Sequence, residues 1–147
     1  KRSDKISGID LYAGKLVLAP TRSYAPGVKE KISKIERKKI HGIIHCSGGA
    51  QTKVMNFVKN KHIIKDNLFE TPPVFKLIQS ESKTSWKEMY QVFNMGHRLE
   101  IYTDENSAQS IINISKSFNL DAKIIGRVED SKENKLSIST DKGLFEY

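Results

Sequence analysis

The sequence predicts an α+β fold, layered in the manner of α/β proteins, with a mixed sheet and helices packed on it. Three observations lead there. Helix-period and strand-period segments alternate along most of the chain. Near the C-terminus, Leu136-Ser137-Ile138 and Leu144-Phe145-Glu146-Tyr147 flank Asp141-Lys142-Gly143, the pattern of a hairpin. Between these, the apolar run Ile43-Ile44 stops abruptly at His45-Cys46-Ser47-Gly48-Gly49-Ala50, which reads as a strand turning into a helix.

The elements follow in order. Gly14-Lys15-Leu16-Val17-Leu18-Ala19 reads as a strand ended by Pro20, after a polar start in which residues 1–10 are expected to be disordered. A basic helix is predicted from about Pro26 to Lys39, with Val28, Ile32 and Ile35 on its apolar face. Ile40 to His45 forms the next strand. A helix then runs from the glycine turn to about Asn60, carrying Val54, Phe57 and Val58 at helical spacing. His62-Ile63-Ile64 is a short strand. Pro72-Pro73 opens a helix with Val74, Leu77 and Ile78 on one face, and Thr84 or Ser85 caps another that carries Trp86, Met89 and Tyr90 as core residues. Phe93-Asn94-Met95-Gly96 closes that helix and leads to a strand from Arg98 to Tyr102. Asp104 starts a helix with Ala108, Ile111, Ile112 and Ile114 that stops near Asn119. Ala122 to Val128 is the next strand, and the charged turn from Glu129 to Lys135 is expected to be loose before the final hairpin.

Composition narrows the function classes. The 147 residues suit one domain with a substantial core, and 37% hydrophobic with 29% charged residues is an ordinary globular balance. No apolar stretch approaches membrane-span length, and the opening Lys1-Arg2-Ser3-Asp4-Lys5 has no apolar signal core, so no membrane association is expected. One cysteine excludes an intrachain disulfide and suits a reducing, cytoplasmic setting. The net charge of +8 is uneven: residues 1–65 hold fifteen Lys and Arg against four Asp and Glu, whereas 66–147 hold ten against thirteen. A positive half attracts phosphates, nucleic acid or an acidic partner. Much of it, however, comes from Lys29, Lys31, Lys34, Arg37, Lys38 and Lys39 on one helix, where a solvated face suffices as explanation. Interleaved aromatics and reader motifs are missing, so nucleic acid is not the expected partner.

The glycine turn is the leading candidate site. Glycines let a ligand approach the backbone closely, and first-turn N–H groups of a helix favour a phosphate or oxyanion. Gly-Gly pairs also punctuate loops that bind nothing, and neither the P-loop nor the dinucleotide fingerprint is present. His45 either orients a phosphate or is a hydrogen-bonded structural residue; Ser47 can cap the helix in either case. Thr21 and Arg22 follow a strand, where a fixed guanidinium clamps a phosphate or pairs with a carboxylate. Asn94 and Gly96 line a cleft or simply form a helix's C-terminal turn. His41 and His45 lack a third ligand, so no metal site is expected. Cys46 is expected to be a buried small residue rather than a reactive thiol.

Four strings, in order, carry a family resemblance: Ala19-Pro20-Thr21-Arg22-Ser23-Tyr24, then Ile40-His41-Gly42-Ile43-Ile44-His45-Cys46-Ser47-Gly48-Gly49, then Glu88-Met89-Tyr90-Gln91-Val92-Phe93-Asn94-Met95-Gly96, and Ile124-Ile125-Gly126-Arg127-Val128. The chain resembles the C-terminal domain of the aminoimidazole ribonucleotide synthetase, or phosphoribosylformylglycinamidine cyclo-ligase, family over roughly residues 14 to 130. The resemblance implies a three-layer domain over 14–147, preceded by an interdomain lead-in at 1–13. It implies ATP-dependent closure of the imidazole ring of formylglycinamidine ribonucleotide in purine biosynthesis, giving aminoimidazole ribonucleotide, ADP and phosphate. Thr21, Arg22, His45, Ser47, Gly48, Gly49, Asn94 and Gly96 become the implied substrate and phosphate contacts, while no catalytic residue is assigned. ATP and Mg2+ would be held mostly by an N-terminal domain that this sequence lacks, so the chain resembles a C-terminal fragment, inactive alone, whose partners are that domain and a second copy in a homodimer. Ala50 stands where many relatives carry a third glycine, and Cys46-Ser47 replaces a common apolar-Thr pair. Related ATP-dependent enzymes of the formylglycinamidine synthetase, selenophosphate synthetase or thiamine phosphate kinase type, and a basic binding module, are the alternatives.

Overall fold

The structure is a computed structural model that describes residues 37–147. The strand expected at Gly14 to Ala19, the basic helix before residue 37, the loose start at 1–10, and Thr21 and Arg22 lie outside the described residues.

The described chain begins with a single 3-10 turn, Arg37–Lys39, and enters strand β1, Ile40–His45. A seven-residue 3-10 helix, Ala50–Asn56, follows the glycine turn. Then come β2 (Lys61–Lys65), helix α1 (Pro73–Ser82), helix α2 (Trp86–Val92), β3 (Leu99–Thr103), helix α3 (Glu105–Ser117), β4 (Gly126–Asp130), β5 (Lys135–Thr140) and β6 (Gly143–Glu146). The predicted stop and start signals act as expected. Ser85 Oγ accepts the N–H of Glu88, and Asp104 accepts that of Ser107, so both helices satisfy a first-turn amide with a side chain.

Two sheets form. β1 and β3 pair antiparallel, with Ile44 opposite Glu100 and an irregularity between Ile40 and Gly42. The other sheet has the order β4-β2-β5-β6; β2 runs antiparallel to β4 and parallel to β5, and β5-β6 is the predicted hairpin. The sheet is therefore mixed, as expected. One face supplies Ile63, Leu136 and Ile138, and against it pack Val54 of the 3-10 helix and Met89 and Tyr90 of α2, with Met95 and Ile44 completing the core. Trp86, Phe75 and Ile78 pack on its margin, half-buried. Among the described residues, no helix is long and apolar enough to cross a membrane.

Three sequence expectations need correction. The helix after the glycine turn ends at Asn56 instead of Asn60, and it is a 3-10 helix, whose three-residue repeat puts Gln51 and Val54 on the buried side; Phe57, next on that repeat, is exposed because the helix has already ended and the chain turns away. The strand expected at Ala122–Val128 begins at Gly126. Before it, Ile125 O accepts the amides of both Asp66 and Asn67 at 3.2 and 3.1 Å, and Asn67 Nδ2 donates to Ile124 O at 2.7 Å, so this stretch straps a turn and cannot form a ladder. The charged segment at Glu129–Lys135 is also well tied. Glu129 and Asp130 pair with His62 and Lys61 in the sheet, and beyond them Ser131 N donates to Asn60 O and Asn134 Nδ2 to Val58 O.

Candidate functional site

The site is built where β1 runs out of partner. Cys46 N donates to Arg98 O at 3.0 Å, one step past the last β1-β3 pair, and the chain then turns. Ser47 N bends back to His45 O at 2.8 Å, and Ala50 N to Ser47 O at 2.8 Å. Gly49 holds φ 78, a left-handed conformation that a residue with a Cβ adopts at a cost. The amides of Gly48 and Gly49 have no hydrogen-bond partner among the described residues, and both glycines are exposed.

Ser47 does not cap the helix. Gly49 holds that position and provides no side chain, whereas Ser47 Oγ accepts Lys53 Nζ at 2.9 Å. The same ammonium donates to His45 O at 3.1 Å. Lys53 therefore fixes a positive charge over the turn, a role that sequence reading missed, although a lysine four residues past Gly49 returns to the turn at helical spacing. His45 is exposed at the strand's end, and its backbone carbonyl is the hub of these contacts.

The second expected segment is a turn after α2. Asn94 Oδ1 accepts the amide of Gly96 at 3.0 Å, and the Asn94 carbonyl accepts His97 N at 2.8 Å. Gln51 Nε2 also donates to that carbonyl, at 2.8 Å. The helix that opens from the glycine turn is thus tied to the Asn94–Gly96 turn by one glutamine, 43 residues from Asn94 in sequence. Gln51 is fully buried.

Behind the turns lies a polar cluster absent from the sequence expectations. Lys65 Nζ donates to Gln51 O at 2.8 Å, Gln51 Oε1 at 3.0 Å and Glu100 Oε1 at 2.5 Å. Glu100 Oε2 in turn accepts the Tyr102 hydroxyl at 2.7 Å. Burial, then the nearby Glu100 charge and hydrogen bond, push the Tyr102 hydroxyl well above the usual phenol range, so it remains a donor. The same two causes push the Cys46 thiol up to about 12. With 2% exposure, Cys46 is a packed, protonated thiol, as expected from sequence. His97, also buried, is held down at about 4 by burial and by the charges of Lys65 and Lys123; its Nε2 accepts the amide of Phe69 at 3.2 Å. Sequence gave one hint of the cluster: Lys65 repeats the inward phase of Ile63 along β2.

Among the described residues there is no group of three or more His, Cys, Asp or Glu side chains able to hold a metal ion.

An α+β domain that presents two backbone turns side by side, with an ammonium over one of them, defines the class. The profile described as "AIR synthase related protein, C-terminal domain" matches residues 10–139, and the chain belongs to that family. It is similar to the phosphoribosylformylglycinamidine cyclo-ligases of Methanococcus vannielii and Methanocaldococcus jannaschii, 34% and 36% identical over 131 residues, which is 89% of this chain and 37% of each relative. The Methanobrevibacter smithii cyclo-ligase is 32% identical over 140 residues, covering 95% of this chain and 40% of the relative. The chain thus spans well under half the length of these curated relatives. Among solved structures, Escherichia coli HypE, a hydrogenase maturation protein, shares the fold with a TM-score of 0.59 at 16% identity, over 94% of this chain and 40% of that one.

Proposed function

We infer that this chain is the substrate-side domain of a phosphoribosylformylglycinamidine cyclo-ligase of purine biosynthesis, binding the phosphate end of formylglycinamidine ribonucleotide. The observation that carries this reading is the hydrogen bond that ties Gln51, in the helix directly after the Ser47-Gly48-Gly49 turn, to the Asn94 carbonyl of the second turn, in a chain whose curated relatives bear that enzyme's name. ATP supplies the phosphoryl group that makes the formyl oxygen a leaving group; an internal nitrogen of the substrate then attacks the activated carbon and phosphate departs.

The chain's own residues act by position and charge. The Gly48 and Gly49 amides donate to phosphate oxygens, and Lys53 offsets the negative charge that gathers there. Rigid placement of the substrate makes ring closure an intramolecular event with little remaining entropy cost. Thr21 and Arg22 are proposed to complete the phosphate contacts. ATP and magnesium are assigned to a domain of the kind that fills the rest of the relatives' length, and the isolated chain is expected to bind without turning over.

Calorimetry with formylglycinamidine ribonucleotide tests the reading. Binding by the chain is expected, weakened in Gly49→Val, which forces a β-branched residue into the left-handed region, and in Arg22→Ala. Unchanged affinity in both variants, or no binding at all, overturns it. Product analysis on the complete polypeptide that carries this chain separates the cyclo-ligase from related ATP-dependent enzymes.

A further inference from the structure

Lys65 and Gln51 form a bridge between elements that have no reason of local geometry to stay in register. Lys65 lies on β2, Glu100 on β3, Gln51 in the 3-10 helix and Asn94 in the turn after α2. The three hydrogen bonds from Lys65 are directed at the two oxygens of one residue, Gln51, and at one carboxylate oxygen of Glu100. Gln51 passes the constraint on through its amide nitrogen, its one remaining side-chain donor group, to the Asn94 carbonyl. With its Oε1 committed to an ammonium, the amide has a single orientation: swapping its oxygen and nitrogen would aim N–H groups at Lys65 and an oxygen at the Asn94 carbonyl. Every buried side-chain nitrogen and oxygen among the described residues has a hydrogen-bond partner.

Simple packing does not require such a network. Aliphatic side chains of the same volume would fill the space between β2, β3 and the 3-10 helix without the desolvation cost of a buried charge pair. A buried polar network does what aliphatic packing does poorly: it fixes one distance and one orientation.

We propose that Gln51, oriented by the Lys65–Glu100 pair, is a positioning residue that sets the separation between the glycine turn and the Asn94–Gly96 turn, and so the width of the phosphate-binding cleft. The inference rests on the functional reading above for the identity of the ligand. It does not rest on it for the coupling itself. Gln51 touches no ligand in this scheme; it acts on affinity through the two turns.

The test uses the 147-residue chain with Gln51→Glu and Gln51→Met. Gln51→Glu keeps both oxygen acceptors for Lys65 but sets a carboxylate oxygen against the Asn94 carbonyl, which removes the bridge. Gln51→Met removes it without adding charge, so the pair controls for a folding defect peculiar to either. Two readouts are taken: affinity for formylglycinamidine ribonucleotide by calorimetry, and the amide resonances of Gly48, Gly49 and Gly96 by NMR. Loss of one bond between the turns is expected to weaken binding about tenfold. The glycine amides of both turns should shift together, while the melting curve stays cooperative. Unchanged affinity in a folded variant that has lost the bridge overturns the proposal, as do amide shifts confined to the glycine turn. If the unsubstituted chain does not bind the ribonucleotide, the functional reading fails, whereas the two-turn amide response still decides the coupling.

Discussion

The ammonium of Lys65 sits 2.5 Å from a carboxylate oxygen of Glu100, with the two side chains only 2% and 4% exposed. Charges so buried are costly to desolvate, and the pair holds together because the remaining lone pairs and protons also find partners: Gln51 for the lysine, Tyr102 for the glutamate.

Removing one partner should therefore hurt more than removing both. Lys65→Met leaves Glu100 buried with the Tyr102 hydroxyl as its chief support, and it is expected to cost about 3–5 kcal/mol. The double variant Lys65→Met/Glu100→Leu leaves no orphaned charge and should recover most of that loss. Urea denaturation of the two variants decides the point. A double variant as unstable as the single one would mean that the space itself, and not the uncompensated charge, is the fault.

Gly126 marks how closely β4 approaches β2 at this same place. A Cβ on residue 126 would lie 1.9 Å from Ile64 O and 2.9 Å from Lys65 Cα, both backbone atoms that cannot swing aside. Gly126→Ala must push the strands apart where Lys65 pairs with Gly126, at an expected cost of about 1–3 kcal/mol. Chemical denaturation measures it. Hydrogen exchange should report the loss first in β4, because an edge strand holds on through one partner only.

The alternation of elements, the hairpin, both side-chain caps and the two turns were legible in the sequence because each rests on local signals: periodicity, capping residues, glycines. The cluster behind the turns was not. Lys65 and Glu100 are separated by 35 residues, and only the pairing of β1 with β3 and the path of the 3-10 helix bring them together. The truncated strand at Gly126 failed for a related reason. Ile124 and Ile125 have strand-like composition, but the turn at Asp66 and Asn67 takes their carbonyls before a ladder can form. For the site, the sequence pointed to the glycine turn and to Asn94, but not to Lys53 or Gln51, whose roles depend on where their side-chain ends reach.

His97 gives the fold a pH dependence of definite sign. Buried beside Phe69, with ring centroids 5.1 Å apart, and near Lys65 and Lys123, it titrates at about 4 in the folded protein against 6.5 for a free histidine. Its folded-state value is depressed, so the unfolded chain binds the extra proton first. Stability is complete above pH 6.5 and declines as pH falls from 6.5 towards 4, by roughly 3 kcal/mol for this group. Thermal unfolding across that window should show the decline, and His97→Gln, which cannot take up the proton, should flatten it. A slope that survives His97→Gln would assign the effect to other groups.

Cys46 should be chemically silent while the protein is folded, although it adjoins the most exposed part of the site. Its thiol is 2% exposed, directed at Ile44 O, and pushed up to about 12 by burial and by Glu100. The nucleophile in disulfide exchange or alkylation is the thiolate, which is scarce at pH 8 for such a group and sterically screened as well. A thiol-specific disulfide reagent is expected to label the urea-unfolded chain rapidly and the native chain only as fast as it opens. The same reagent reports on the charged cluster. In Glu100→Gln the carboxylate that raises the thiol is gone, so the native labelling rate should rise with pH from a lower onset, while Lys65→Met, which removes a charge that lowers it, should not increase the thiolate fraction. Equal native and unfolded labelling rates in the unsubstituted protein would show that Cys46 is not held in the interior, and the packing derived for β1 and the glycine turn would fall with it.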